Sequence, residues 1–195
     1  TLISVYTPPT AQAATVVITD AVQVVDGGAL NERMASMVSD SEGNIHAIWS
    51  RNTQHLYYTM LDPRAQTLIS ATQISNSGAH RAWHPDIDID DLDRVHVVWA
   101  DKAGSHSIKY TLIDPSMDVQ DGSPAEDAII SIVDDTIVSQ RNQNRDWPAI
   151  SLDSTGAAHI VWEDSYEQLG KFYNQPQIYY SMIQIDEVTR QALTA

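Results

Sequence analysis

The chain has 195 residues, 43% of them hydrophobic, and its 26 acidic and 11 basic side chains leave a formal net charge of -15. That length fits one large domain or two small ones, and the apolar content is enough to bury a core, which excludes wholesale disorder. The acidic balance, with its few Arg and Lys scattered, excludes nucleic acid and anionic membrane surfaces as partners; the absence of Cys excludes disulfides, thiolate metal sites and a Cys nucleophile.

In chain order, residues 1–13 read as a linker. Pro8-Pro9 and small polar residues surround Ala11-Gln12-Ala13, which resembles a signal-peptidase site but lacks the basic and long apolar segments that precede one. No apolar run approaches the roughly 18 residues that span a bilayer, so membrane insertion is not expected. Residues 14–26 hold a strand, Thr19-Asp20-Ala21-Val22-Gln23-Val24, echoed by Ile69-Ser70-Ala71-Thr72-Gln73-Ile74.

From residue 33 onward the chain repeats itself three times. The anchors Asp40, His46 and Trp49 recur as Asp90, His96 and Trp99 and as Asp153, His159 and Trp162, at identical internal spacing. Around them stand RMASMVSDSEGNIHAIW, WHPDIDIDDLDRVHVVW and WPAISLDSTGAAHIVW. Each is an apolar strand, a turn built on Asp and Gly (or Asp93), and a second strand with period-two alternation. A third strand is expected at 56–61, 107–113 and 177–183, marked by Tyr58, Tyr110 and Tyr180, and a fourth at 67–75 and 128–139. Four-stranded antiparallel units of about 40 to 50 residues are β-propeller blades. The expected organisation is therefore all-β: blade 1 over 33–75, blade 2 over 81–139, blade 3 over 145–195, with the 14–26 strand placed to complete the last blade.

The pattern P-x-I-x-x-D-x-x-G-x-x-H-[IV]-V-W, clearest from Pro148 to Trp162, resembles the blades of sialidase-like (BNR-type) propellers over roughly residues 15–195. The family's Asp-box, S-x-D-x-G-x-x-W, is not met as such. The resemblance implies an architecture shared by glycan hydrolases and non-enzymatic surface proteins. Because propellers typically have four to eight blades, three imply an excerpt of a longer propeller, half of a six-bladed homodimeric ring, or an open three-blade stack with exposed edges. Few Lys, many Asp, Thr and Ser and no Cys resemble exported bacterial proteins, so an extracellular, cell-surface or periplasmic location is expected.

Several residues invite functional readings. The three repeated His suit a metal, but once per blade on the second strand they are expected to bond backbone or a neighbouring blade. Trp83 and Trp147 precede the first strands, with Arg81 and Arg145 beside them, and Trp99 and Trp162 end the second strands. Such rings pack between blades or stack on sugar faces, and the guanidinium forks suit hydroxyls or a carboxylate. Sialidases clamp a carboxylate with three arginines, but Arg33, Arg81 and Arg145 stand seven, nine and eight residues before the repeated Asp, so they do not match as a set. Asp86, Asp88, Asp90, Asp91 and Asp93 form the densest carboxylate cluster, with the hard oxygens that suit Ca²⁺ but without the EF-hand Gly and Glu. Two insertions, 114–127 and 163–176, read as loops, the second offering Tyr166 and Tyr173 as contact surface. The expected function is a non-enzymatic recognition or structural module for glycan or protein. The alternatives are a fragment of a sialidase-like glycoside hydrolase and a self-assembling structural unit.

Overall fold

The computed structural model describes residues 20–26, 28, 30–75, 81–103, 106–115, 130–140, 144–168 and 171–185. Within those strands, the side chains of 130–136, 139–140, 144–145, 165–168 and 171–176 lie outside the description. Eleven strands are formed: β1 (Glu32–Ser39), β2 (Ile45–Arg51), β3 (His55–Leu61), β4 (Thr67–Gln73), β5 (Ala82–Ile89), β6 (Val95–Asp101), β7 (Ser107–Asp114), β8 (Ile130–Gln140), β9 (Asn144–Leu152), β10 (Ala158–Gln168) and β11 (Lys171–Ile183). They make three antiparallel meanders, β1-β2-β3-β4, β5-β6-β7-β8 and β9-β10-β11. The all-β, three-blade expectation holds.

Blade packing follows from the alternation of each strand. One face of blade 1, with Ile48, Leu56, Tyr58 and Met60, meets Ile87, Val95, Val97 and Trp99 of blade 2. The opposite face of blade 2, with Val98, Ile108, Tyr110 and Leu112, meets Ile150, Ala158, Ile160 and Trp162 of blade 3. Blade 2 is therefore sandwiched, and every residue of β6 is buried. An antiparallel sheet covered on one side shows apolar-in, polar-out alternation; covered on both, it reads as a nearly continuous apolar run. VHVVWAD in β6 is that run, whereas ERMASMVS in β1 alternates between half-buried and exposed.

Polar contacts also tie the blades together. The Asp86 carboxylate accepts from Ser36 Oγ of blade 1 at 2.9 Å and from the Ile150 amide of blade 3 at 3.0 Å. Asp88 accepts from the Leu152 amide at 2.7 Å. Ser41 donates through its amide and hydroxyl to Asp93, at 3.0 and 2.7 Å. Side chains of β5 thus satisfy amides that blade 3's first strand turns away from its own sheet, as buried backbone groups require.

Two expectations are corrected. Residues 163–176 do not form a loop: β10 and β11 continue as a ladder, with Glu167 opposite Phe172 and Gln168 opposite Lys171. The ladder is broken once, by an irregularity between Ser165 and Glu167 that leaves Tyr166 and residues 173–175 without a partner in register. Residues 20–26, the described part of the expected closing strand, belong to no sheet, and Val22 and Val24 are exposed. The matching strand β4 is anchored by Ile69, which is buried and accepts a 2.6 Å bond from Thr59 Oγ. The N-terminal segment has Thr19 at that position. The linker 1–13, residues 116–127 of the acidic insertion and 186–195 of the third unit lie outside the described residues.

Candidate functional site

Each blade contains one Asp–His–Tyr triad. His46 Nε2 lies 3.2 Å from Asp40 Oδ2 and its Nδ1 lies 2.8 Å from the Tyr58 hydroxyl. His96 stands likewise between Asp90 (3.3 Å) and Tyr110 (2.8 Å), and His159 between Asp153 (3.0 Å) and Tyr180 (2.8 Å). A neutral imidazole protonated on Nε2 satisfies all three groups: it donates to the carboxylate and accepts from the phenol. The expected partners of the histidines, backbone or a neighbouring blade, are corrected: each His bonds an Asp and a Tyr of its own blade. The same Asp builds the turn. Asp40 accepts from the amides of Glu42 and Asn44, Asp90 from those of Leu92 and Arg94, and Asp153 from those of Thr155 and Ala157.

The electrostatics follow this wiring. Burial pushes the Asp40 carboxyl up, but donors from the Asn44 side chain and backbone and from His46 outweigh it, and its pKa is lowered. Asp90 is lowered more strongly: burial again opposes, and His96 and Arg94 win. Burial lowers the His46 pKa despite Asp40 and raises the Tyr58 and Tyr110 phenols.

A second repeated feature had no expectation attached to it. In every blade the first strand carries a bulge in which two residues face one tryptophan of the second strand. Met34-Ala35 lie opposite Trp49, His84-Pro85 opposite Trp99, and Trp147-Pro148 opposite Trp162. The first residue of each bulge has a positive φ: 56° at Met34, 46° at His84 and 52° at Trp147. A non-glycine residue there costs on the order of 1 to 3 kcal/mol, and such strain and bulges gather where a side chain is re-aimed for function. The three re-aimed side chains line one cleft of about 480 Å³ with Ala35, Ser36, Pro85, Asp86 and Pro148.

Trp147 is the exposed wall of this cleft, with 61% of its surface free. Its ring stacks on His84 at a centroid distance of 3.6 Å and 15° between planes. His84 Nδ1 bonds Asp146, which is also paired with Lys102, and Lys102 lies 4.6 Å over the Trp83 ring. Blades 2 and 3 thus present an apolar platform with an acid, a base and an imidazole packed behind it.

Against this geometry the sequence candidates separate. Trp147 is at the site. Trp83 is not its counterpart: it stands seven residues before Asp90, Trp147 six before Asp153, and His84 is the residue that matches Trp147. Trp99 and Trp162, offered as sugar platforms, are 0% and 4% exposed and pack between blades. Arg81 is exposed, and its described bonds are through backbone. Arg145, Tyr166 and Tyr173 stand on β9, β10 and β11, and their side chains lie outside the description. The aspartates do not converge: Asp86, Asp88, Asp90 and Asp93 bond different donors and Asp91 is exposed. Among the described residues no group of three or more His or acidic side chains is placed to hold a metal. Met34, His84, Asp146 and Lys102 were missed. Counting six residues back from each repeated Asp finds the first two; Asp146 and Lys102 have no such signal.

No protein-family model matches the sequence, and no curated protein sequence matches it. The fold does have solved counterparts. A thermostable family-43 glycoside hydrolase aligns at TM-score 0.52 and 11% identity, over 84% of this chain and 58% of that one. An exo-1,5-α-L-arabinanase from a bovine ruminal metagenomic library aligns at 0.51 and 12%, over 86% and 58%. The intramolecular trans-sialidase of Ruminococcus gnavus, solved with oseltamivir carboxylate, aligns at 0.51 and 12%, over 83% and 34%. The fold is a partial β-propeller. The chain spans about a third to three-fifths of the length of these propeller counterparts, and at such identities they speak to architecture alone. The BNR-type repeat is a finer likeness than they carry.

Proposed function

We propose that this propeller segment is a recognition module of an exported or surface protein that binds carbohydrate in the cleft walled by Trp147. The observation that carries the reading is the exposed Trp147 ring, held rigid by His84 in a bulge of the first strand. A fixed indole loses little entropy when a sugar's C–H face covers it, and apolar walls with few polar groups are the usual composition of a small-molecule site. The propeller counterparts are named for enzymes acting on arabinan and sialic-acid glycans, which supports a saccharide as ligand class.

Binding is favoured over hydrolysis for this span. Glycosidases place two carboxyl groups across the scissile bond, roughly 5 to 9.5 Å apart. Among the described residues lining the cleft, Asp86 is the one carboxylate, and both its oxygens are bonded across blade interfaces.

Tryptophan fluorescence, titrated with arabino-oligosaccharides and sialyl-oligosaccharides in parallel, tests the reading. A saturable change is expected for one class. Trp147→Ala should weaken binding about tenfold or more, a loss of about 1.4 kcal/mol, while exposed Arg64→Ala in the β3–β4 turn should leave it intact. Binding that survives Trp147→Ala would move the site elsewhere, and release of reducing sugar would restore the hydrolase alternative.

A further inference from the structure

The Trp147 cleft contains one nitrogen that the protein leaves unused. His84 takes the left-handed position of the β5 bulge, lines the cleft and keeps 15% of its side chain exposed. Its Nδ1 faces the Asp146 carboxylate, which can only accept, so Nδ1 carries the proton and donates it. In the neutral ring Nε2 then holds the lone pair. No protein group bonds that nitrogen, and it is open to solvent. The triad histidines spend both ring nitrogens inside their own blades. His84 spends one.

The ring is also held in place from three blades. Trp147 covers one of its faces at 3.6 Å between centroids, and Trp83 meets it edge-on at 5.7 Å. The His84 amide donates to Met34 Sδ of blade 1 at 3.3 Å, and the Asp146 that orients the imidazole is itself paired with Lys102. An acceptor fixed in this way loses little freedom when a ligand bonds it. The rest of the cleft is short of donors. Ser36 Oγ gives its proton to Asp86, which also takes the Ile150 amide. Among the described side chains lining the cleft none is Arg or Lys, and the donor left free is the neutral Trp147 indole N–H. A sugar hydroxyl has a proton to give and suits such a wall. A carboxylate has none, and it would face the negative charge of Asp86 in a chain of net charge -15.

We infer that His84 is the specificity-determining residue of the cleft, its Nε2 accepting a hydrogen bond from a ligand hydroxyl, and that the ligand is a neutral saccharide, with sialylated and other carboxylated sugars rejected. The assignment rests on the carbohydrate reading of the cleft and narrows it.

The purified 195-residue chain with ¹⁵N-labelled histidine, titrated separately with arabinohexaose and sialyllactose, tests it. Long-range ¹H–¹⁵N NMR spectra report each ring nitrogen, and His84→Asn identifies the His84 signals by their loss. Asn tolerates the φ of 46°, so the variant should keep the parent's circular dichroism. Arabinohexaose is expected to move the His84 Nε2 resonance saturably and to leave the triad nitrogens in place. His84→Asn should weaken its binding roughly three- to tenfold, and sialyllactose should bind about tenfold or more weakly than arabinohexaose. An Nε2 resonance that stays put while arabinohexaose binds would overturn the inference, since a His84 that only props the Trp147 ring gives that result. So would sialyllactose binding as tightly as arabinohexaose and losing affinity in Trp147→Ala. Either outcome leaves the cleft standing as the site. Binding of neither sugar, or binding indifferent to Trp147→Ala, is the separate failure of the carbohydrate reading and takes this inference with it.

Discussion

The Asp–His–Tyr triad shows how one residue's environment sets its worth. Tyr110 is fully buried and its hydroxyl is the partner of His96 Nδ1, whereas Tyr180 makes the same bond on a half-open face. Removing one partner of a buried hydrogen bond leaves the other unsatisfied at a cost of about 1 to 3 kcal/mol; in water the loss is mostly recovered. Tyr110→Phe should therefore lower unfolding stability by that amount in urea melts, and Tyr180→Phe by under about 0.5 kcal/mol if the face stays open. The pH dependence follows from the same groups. Burial holds His46 below its ordinary 6.5, so the unfolded chain takes up the proton more readily. Stability from this group is complete above pH 6.5 and declines as the pH falls below it. Asp40 and Asp90 are held below 3.8, so their contribution is present above that value and is lost on further acidification. Melting temperatures from pH 7.5 down to 3 should show a shallow decline first and a steeper one below about pH 4; His46→Gln should flatten the first. The triad's Asp and His were visible in the repeat, because their identical spacing of six residues fixes which strand and face each occupies; the Tyr, 12, 14 and 21 residues beyond the His, was visible only as the mark of each third strand. Which atom bonds which was not, since that depends on the turn bringing the Asp back over its own blade.

At the level of the element, the turn and the bulge have different legibility. The β1–β2, β5–β6 and β9–β10 turns place Gly43, Asp93 and Gly156 at one position, with φ of 84°, 58° and 78°. An L-residue there pays about 1 to 2 kcal/mol, and nothing lies within 4 Å of a Cβ added at Gly156. Gly156→Ala should thus cost roughly 1 kcal/mol from backbone strain alone, read as a lower urea midpoint with unchanged slope. The D-x-x-G pattern made these turns predictable. The bulges were not: no glycine marks them, since Met34, His84 and Trp147 take the left-handed conformation under constraint from the neighbouring strands. That is why Trp83 and Trp147 looked equivalent. Asp86 illustrates the same dependence on neighbours, because its two oxygens join blades 1 and 3. Asp86→Ala should destabilise by about 1 to 3 kcal/mol and increase amide exchange at Ile150, while leaving exchange at Ile48, inside blade 1, unchanged.

For the molecule as a whole, the balance is between apolar faces and like charge. Blade 2 is buried on both sides and holds the other two, so Trp99→Ala, with its ring fully buried, should cost about 3 to 5 kcal/mol and lower one shared melting transition. A net charge of -15 works against the compact chain through self-repulsion. Raising the ionic strength from about 0.01 to 0.15 M shortens the screening length from roughly 30 to 8 Å. Salt should therefore raise the melting temperature of the chain.

Blade number, strand order, the inward faces and the Asp-based turns were all decided by the sequence, because each depends on period and local spacing that a repeat displays openly. The platform of His84, Trp147, Asp146 and Lys102 was decided by tertiary structure. Its members come from β5, β9 and the segment after β6, and they meet because two blades pack face to face and a strained bulge turns two of them into one cleft. Contacts between blades obey no spacing rule along the chain. They are set by how sheets twist and nest, and that is where the proposed recognition surface lies.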